Sequence, residues 1–363
     1  MKKAELVFVP MPGMGHLVST VELAKLLVDL NSNLSITVLI IKTPYDPNLT
    51  AYIDSLIADT VTISTRIKFI NLPQDEAQKG IPPNKFMTTI IQIQRPHIKE
   101  AIAKIVQYSN SVPNSPRLVG AAFLGFQFYM QAFRDEQNVD ITKLKGSDAE
   151  FTIPSYVNPI AAKFFPPLMF KLETLIVLLD VARELREVKG IMVNSFLELE
   201  SHAVDSFSNG EYPAVFPVGP ILNLKSESRV HQNSNIMKWL DEQPLSSVVF
   251  LCFGSMGSFG GDQVKEIARA LEQSGHRFLW SLRQPPVEVM MLSSTDYENV
   301  EEDSDVRNRA KEMSKQSRKA LMEGGSSHST LCRFIDDHTG MLGIGANVSL
   351  LGAGLMSLLA VWV

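Results

Sequence analysis

Cysteine is nearly missing: Cys252 and Cys332 are the two among 363 residues. Two thiols cannot build a disulfide framework, and they fit a reduced, cytoplasmic compartment. No CxxC pair and no His/Cys cluster occurs, so the pattern of a structural zinc site is lacking. An excess of positive charge is also lacking. The 34 Lys and Arg stand against 39 Asp and Glu, for a formal net charge of −5. A nucleic-acid binder would show a basic patch or stripe instead. A secretory leader is not indicated, because Glu5 interrupts the approach to the short apolar run at residues 6–9, Pro10 ends that run, and no small-residue cleavage site follows. Charge itself is missing in one place only, from Gly340 to Val363. As a helix that stretch would be about 36 Å long, enough to cross a hydrocarbon core of about 30 Å, although its glycines weaken a helical reading.

What remains is an ordinary globular composition, 45% hydrophobic and 20% charged, long enough for two domains. Residues 4–10 read as a buried strand, 17–30 as a helix with Leu23, Leu26, Leu27 and Leu30 at helical spacing, and 34–41 as a second strand. This opening predicts a doubly wound α/β domain. Further strands are expected at 67–72 and 188–195. Helices are expected at 86–108, interrupted at Pro96, then at 121–133 and 197–207. Residues 213–220 read as a proline-glycine crossing, and the polar stretch after it as an interdomain linker. A second unit opens with a strand at 246–253, a Gly/Ser loop at 254–261, a helix at 262–274 capped by Asp262, and a strand at 277–282. A charged helix at 306–323 ends on Gly324 and Gly325.

Two constellations carry chemistry. In Gly13-Met14-Gly15-His16 the third glycine of a dinucleotide fingerprint is replaced by Val18, which argues against a nicotinamide site. His16 falls at the carboxyl end of the first strand and the head of the first helix, where open α/β sheets place ligands. The helix dipole there disfavours imidazolium, leaving a neutral ring able to act as a general base. The same position also suits a histidine that merely packs on the helix start. His97, His202, His231, His276, His328 and His338 lie on polar segments and read as surface residues. The second constellation is Gly254-Ser255-Met256-Gly257-Ser258. Its backbone N–H groups and hydroxyls could cradle a nucleotide diphosphate at a helix start, or the glycines could serve a plain tight turn. No Gly-Lys-Ser/Thr follows, so it is not a Walker loop.

Several blocks in order bring a family into view: residues 9–17, residues 189–200 with Asn194-Ser195-Phe196, Phe216-Pro217-Val218-Gly219-Pro220, residues 236–244, residues 248–258, Lys311-Glu312-Met313-Ser314, and Gly324-Gly325-Ser326-Ser327. The chain resembles the plant family-one UDP-dependent glycosyltransferases of the flavonoid and small-metabolite group. The resemblance implies a GT-B α/β fold of two Rossmann-like domains. Residues 1–221 would bind the acceptor, 222–240 would form a linker, 241–338 would bind the donor, and 339–363 would be a tail without family counterpart. It implies an inverting, metal-independent hexosyltransferase with UDP-sugar as co-substrate, glucose being the expected sugar, and a small hydroxylated acceptor such as a flavonoid. The charge balance implies no nucleic-acid partner, and the uncharged run allows membrane association only through 340–363. His16 would deprotonate the acceptor hydroxyl, and Gly254, Ser255 and Met256 would contact the donor phosphates.

Two departures stand out. The family orients its base histidine with an aspartate on a central strand, yet here Gly120 runs directly into Ala121, which begins a helix lying well downstream in the family. After Pro286 the sugar-nucleotide signature box is missing. Both domains therefore read as incomplete, as in a splice product or fragment. Asp135 and Asp140 lie in a polar stretch and are not expected to replace the lost aspartate. The expectation for residues 1–338 alone is no measurable transfer from UDP-glucose.

Overall fold

The computed structural model describes residues 4–42, 47–58, 65–74, 78, 80–81, 83–106, 120–188, 190–222, 234–244, 247–253, 259–282, 304–339 and 359–362. Its contacts divide the chain into two compact units, one of Met1–Leu222 with Val300–Val363, the other of Asn223–Asn299.

The first unit is built on β1 (Ala4–Val9), β2 (Leu34–Ile40) and β3 (Ile67–Asn71), which pair in parallel. Leu6 and Phe8 point to one face, against α1 (Met14–Leu30) through Leu17, Val21 and Leu27. Val7 and Val9 point to the other, against Ile90, Ile98 and Ile102 of α3 (Pro83–Val106). Between these helices lies α2 of the chain order, Pro47–Ala58, which adds Leu49 and Ile53 to the α1 face. A strand covered on both faces needs apolar residues at every position, which is why residues 6–9 show no polar alternation. Each such side chain contributes about 1.5–3 kcal/mol by burial.

Downstream, α4 (Ala121–Gln137) packs against α5 (Leu172–Leu185) and α6 (Leu197–Asp205). The short strands β4 (Glu150–Phe151) and β5 (Ile160–Ala161) form a separate ribbon. β6 (Gly190–Val193) and β7 (Ala214–Pro217) pair in parallel with each other and with no other described strand. Met192 and Phe216 nevertheless share the core of Leu6 and Phe8. Their carboxyl ends are tied together: the Ile221 N–H donates to Asn194 Oδ1 at 2.8 Å and the Gly219 N–H to Ser195 O at 2.7 Å. A Cβ on Gly219 would lie 2.5 Å from Asn194 Oδ1, so this crossing requires glycine.

The second unit holds α7 (Ser234–Asp241), β8 (Val248–Cys252), α8 (Gly261–Gln273) and β9 (Arg277–Ser281), with β8 and β9 parallel. The N-cap of α8 is Gly260, whose N–H donates to Gln263 Oε1 at 3.2 Å, and not Asp262. Asp262 lies in the first turn, where its charge still meets the positive helix end.

Three further expectations change. The crossing at 213–220 contains a strand, β7, since Pro217 falls at its last position and costs no interior ladder bond. Residues 304–339, grouped by sequence with 241–338, form α9 (Ser304–Leu321) and α10 (Ser326–Thr339), and α10 packs on α1 and β7 of the first unit. Phe334 stacks edge-on against Phe216 at 5.2 Å, and the Ser327 hydroxyl donates to Gly219 O. Finally, a helical reading of the uncharged tail fails at residues 359–362, which form strand β10 (Leu359–Trp362) antiparallel to β1. Among the described residues no helix is long and apolar enough to cross a membrane.

Two outcomes test this arrangement. Glu200 receives the first N–H groups of α4, from Ala121 at 3.0 Å and Ala122 at 3.1 Å. The Glu200→Ala variant should therefore lose about 0.5–2 kcal/mol in urea denaturation, with Glu200→Gln falling between it and wild type. Phe334 is fully buried, and Phe334→Ala should cost about 3–5 kcal/mol and lower the midpoint of the first unit. A loss under 1 kcal/mol would mean that α10 does not pack there in solution.

Candidate functional site

β1 ends at Val9, and Pro10 cannot extend the ladder. The chain turns through Met11 and Pro12, and α1 begins at Met14 with Gly13 as its N-cap. Gly13 offers no side-chain cap, so the first N–H groups of α1 face the end of the sheet without a side chain of that residue between. His16 is the third residue of the helix. Its carbonyl accepts from the Thr20 hydroxyl at 2.7 Å, which leaves its ring as the free end. Val18 stands where the third glycine of a dinucleotide fingerprint would be, and it is half-buried.

The His16 ring is half-buried, and burial holds its pKa below the ordinary 6.5. Water that would solvate an imidazolium is partly excluded, so the neutral ring dominates at pH 7. The sequence reached the neutral ring through the helix dipole, and the structure reaches it through desolvation. Among the described residues no side chain hydrogen-bonds the ring, and no carboxylate raises its pKa. Asp135 is bound instead by the Arg183 guanidinium, at 2.6 and 2.7 Å, which draws its pKa down to about 2. Asp140 caps a 3₁₀ turn, accepting from the Thr142 hydroxyl and N–H, and those bonds lower its pKa. Both carboxylates thus have partners of their own.

The loop Gly254, Ser255 and Met256 lies outside the described residues, as do Leu118 and Val119 and the junction at Pro286. Of the other histidines, His202 and His276 are exposed and His97 and His328 half-buried, while His231 lies outside the described residues. No group of three or more His, Cys, Asp or Glu able to hold a metal occurs among the described residues. A cavity of about 560 Å³ opens beside β3 and α3, lined by Glu5, Thr37, Lys68, His97, Glu100 and Lys104 among others. His16 is not in its lining. Sequence reasoning had not marked this cavity, whose walls come from four separate elements.

No family model matches the chain. Curated relatives do. It is 47% identical over 337 residues to UDP-glucose flavonoid 3-O-glucosyltransferase 6 of Fragaria ananassa, covering 83% of this chain and 70% of the relative. It is 41% identical over 333 residues to UDP-glycosyltransferase 71A15 of Malus domestica, covering 82% of this chain and 69% of that one. In the first comparison, 83% of 363 residues is fewer than 337, so the relative carries residues that this chain skips. A transferase of Siraitia grosvenorii solved with UDP superposes with a TM-score of 0.79 at 31% identity, covering 92% of this chain and 99% of that one. UGT71G1 of Medicago truncatula, solved with UDP-glucose, gives 0.75 at 27% identity, covering 93% and 99%.

The lowered pKa of His16 has a pH signature. Between the folded value and the unfolded value near 6.5, the unfolded chain binds the proton more readily, so stability rises with pH across that window. Acidification from pH 7.5 to 5.5 should lower the urea midpoint of wild type more than that of His16→Gln. Parallel pH dependences of the two proteins would show that the ring is solvated.

Proposed function

The chain belongs to the plant UDP-dependent glycosyltransferases, and on that footing we propose that it moves a hexosyl group, glucose by the names of its relatives, from a UDP-sugar to a hydroxyl of a small phenolic metabolite such as a flavonoid. The observation that carries the catalytic part is His16, neutral through burial and set at the carboxyl end of β1. In this reading the ring nitrogen takes the proton of the acceptor hydroxyl. The oxygen then attacks the anomeric carbon from the face opposite UDP. The bond from that carbon to the β-phosphate oxygen breaks, its electron pair leaves with UDP, and the anomeric configuration inverts. The donor is a co-substrate, consumed in each turnover.

We assign acceptor binding to residues 1–221, and donor binding to the unit that holds Gly254, Ser255 and Met256, whose N–H groups and hydroxyl would receive the diphosphate. A cytoplasmic setting fits the two free thiols, Cys252 and Cys332. One observation favours a second reading, in which the chain binds donor and acceptor without turnover. Among the described residues nothing orients the His16 ring, and in a serine-protease triad the loss of the orienting carboxylate costs about 10⁴ in rate.

The assay is product formation from UDP-glucose and a panel of flavonols, run beside calorimetric titration of UDP. The proposal expects glucoside formation, with His16→Ala lowering the rate by about 10²–10⁴ and leaving UDP binding nearly unchanged. Binding of UDP without product from wild type would select the second reading. A His16→Ala protein that still turns over at the wild-type rate would remove His16 from the mechanism.

A further inference from the structure

Leu6, Val7 and Phe8 are fully buried, so the peptide groups along both edges of β1 need partners within the protein. One edge is taken by β2. Among the described residues, the strands that share its core from further along the chain, β6 and β7, pair with each other and not with the second edge of β1. An unpaired buried N–H or C=O costs about 1–3 kcal/mol. That edge is filled by the C-terminus: Leu6 lies opposite Trp362, Val7 opposite Val361, Phe8 opposite Ala360 and Val9 opposite Leu359.

We infer that the free edge of β1 is a binding site for an extended apolar peptide, and that this chain fills it in cis with its own residues 359–362. Recognition by strand addition works through the main chain, so it demands little of the sequence beyond strand propensity and freedom from charge and proline. Leu359-Ala360-Val361-Trp362 meets those demands, and no charged residue or proline occurs from Gly340 to Val363. The pairing is antiparallel on an otherwise parallel sheet, an arrangement common for an added edge strand. It also covers an edge that would otherwise template pairing between copies. The uncharged composition that suggested a membrane segment thus has a use inside the fold.

The alternation of an antiparallel ladder supplies the test. Of two neighbouring residues on β10, one directs its N–H at β1 and the other directs it away. β10 is the outermost strand, so a proline whose missing N–H faced outward is tolerated, and a proline at the bonded position is not. In the full-length chain, one of Ala360→Pro and Val361→Pro should raise amide exchange at residues 6–9 at least about tenfold and shift the protein toward larger species than wild type in size-exclusion chromatography. The other should match wild type in both. Wild-type protection in both variants would overturn the inference, as would equal loss in both. Co-sedimentation of the wild-type chain with phosphatidylcholine vesicles accompanied by fast exchange at residues 6–9 would also overturn it, since the tail would then be in lipid. None of these readouts depends on sugar transfer.

Discussion

β1 is buried on both faces and must be hydrogen-bonded on both edges, and most of the first unit follows from those two demands. The faces explain the helices. α1 covers Leu6 and Phe8, and α3 covers Val7 and Val9, so the sheet lies between two apolar layers. The edges explain the strands. β2 and β3 extend the sheet on one side, and β10 closes the other. The position of His16 is a by-product of the same strand. Pro10 ends β1, the turn through Gly13 starts α1, and the third residue of that helix is delivered to the carboxyl end of the sheet.

Local patterns were the legible part of the chain. The strand-turn-helix-strand opening shows in the sequence because each element is apolar at its own period, and the structure reproduces it from Ala4–Val9 through Leu34–Ile40. Elements whose identity rests on distant partners were not legible. β7 is flanked and ended by prolines, and only its pairing with β6 makes it a strand. α5 is apolar over Leu172–Leu185 and went unmarked, its role being set by α4, which lies about fifty residues earlier. The tail shows the limit most clearly. An uncharged run carries no period, so the sequence cannot tell a helix in lipid from a strand on β1, more than three hundred positions away.

The candidate site divides in the same way. His16 could be found because its position depends on residues 9–16 alone. That no carboxylate partners it among the described residues could be anticipated only through the resemblance, which pointed to Gly120. The structure adds a physical account of what stands at that junction. Glu200 comes from α6 and accepts from the first N–H groups of α4 at Ala121 and Ala122, so the helix start at this junction has an acidic partner. Asp135 is held just as firmly by Arg183. Glu200 and Asp135 are therefore committed to helix packing.

The second unit poses a different constraint. A parallel pair of strands is ordinarily covered on both faces, and a two-stranded sheet alone is marginal in water. β8 and β9 form such a pair, and Phe250 remains 62% exposed and Val249 42%. No residue of α8 is fully buried, and its apolar stripe of Val264, Ile267, Ala268 and Leu271 is only half-buried. Gly254 to Met256, proposed for the donor phosphates, stand in sequence between β8 and α8. Phosphate binding by backbone N–H groups depends on their being held in place beforehand, because ordering a loop during binding subtracts from affinity. In the proposed reading the second unit therefore sets the donor affinity, while His16 sits on the covered scaffold of β1 and α1. On the proposed assignment, the base rests on the well-covered sheet of β1, while the donor residues belong to a unit whose strands keep Phe250 and Val249 exposed.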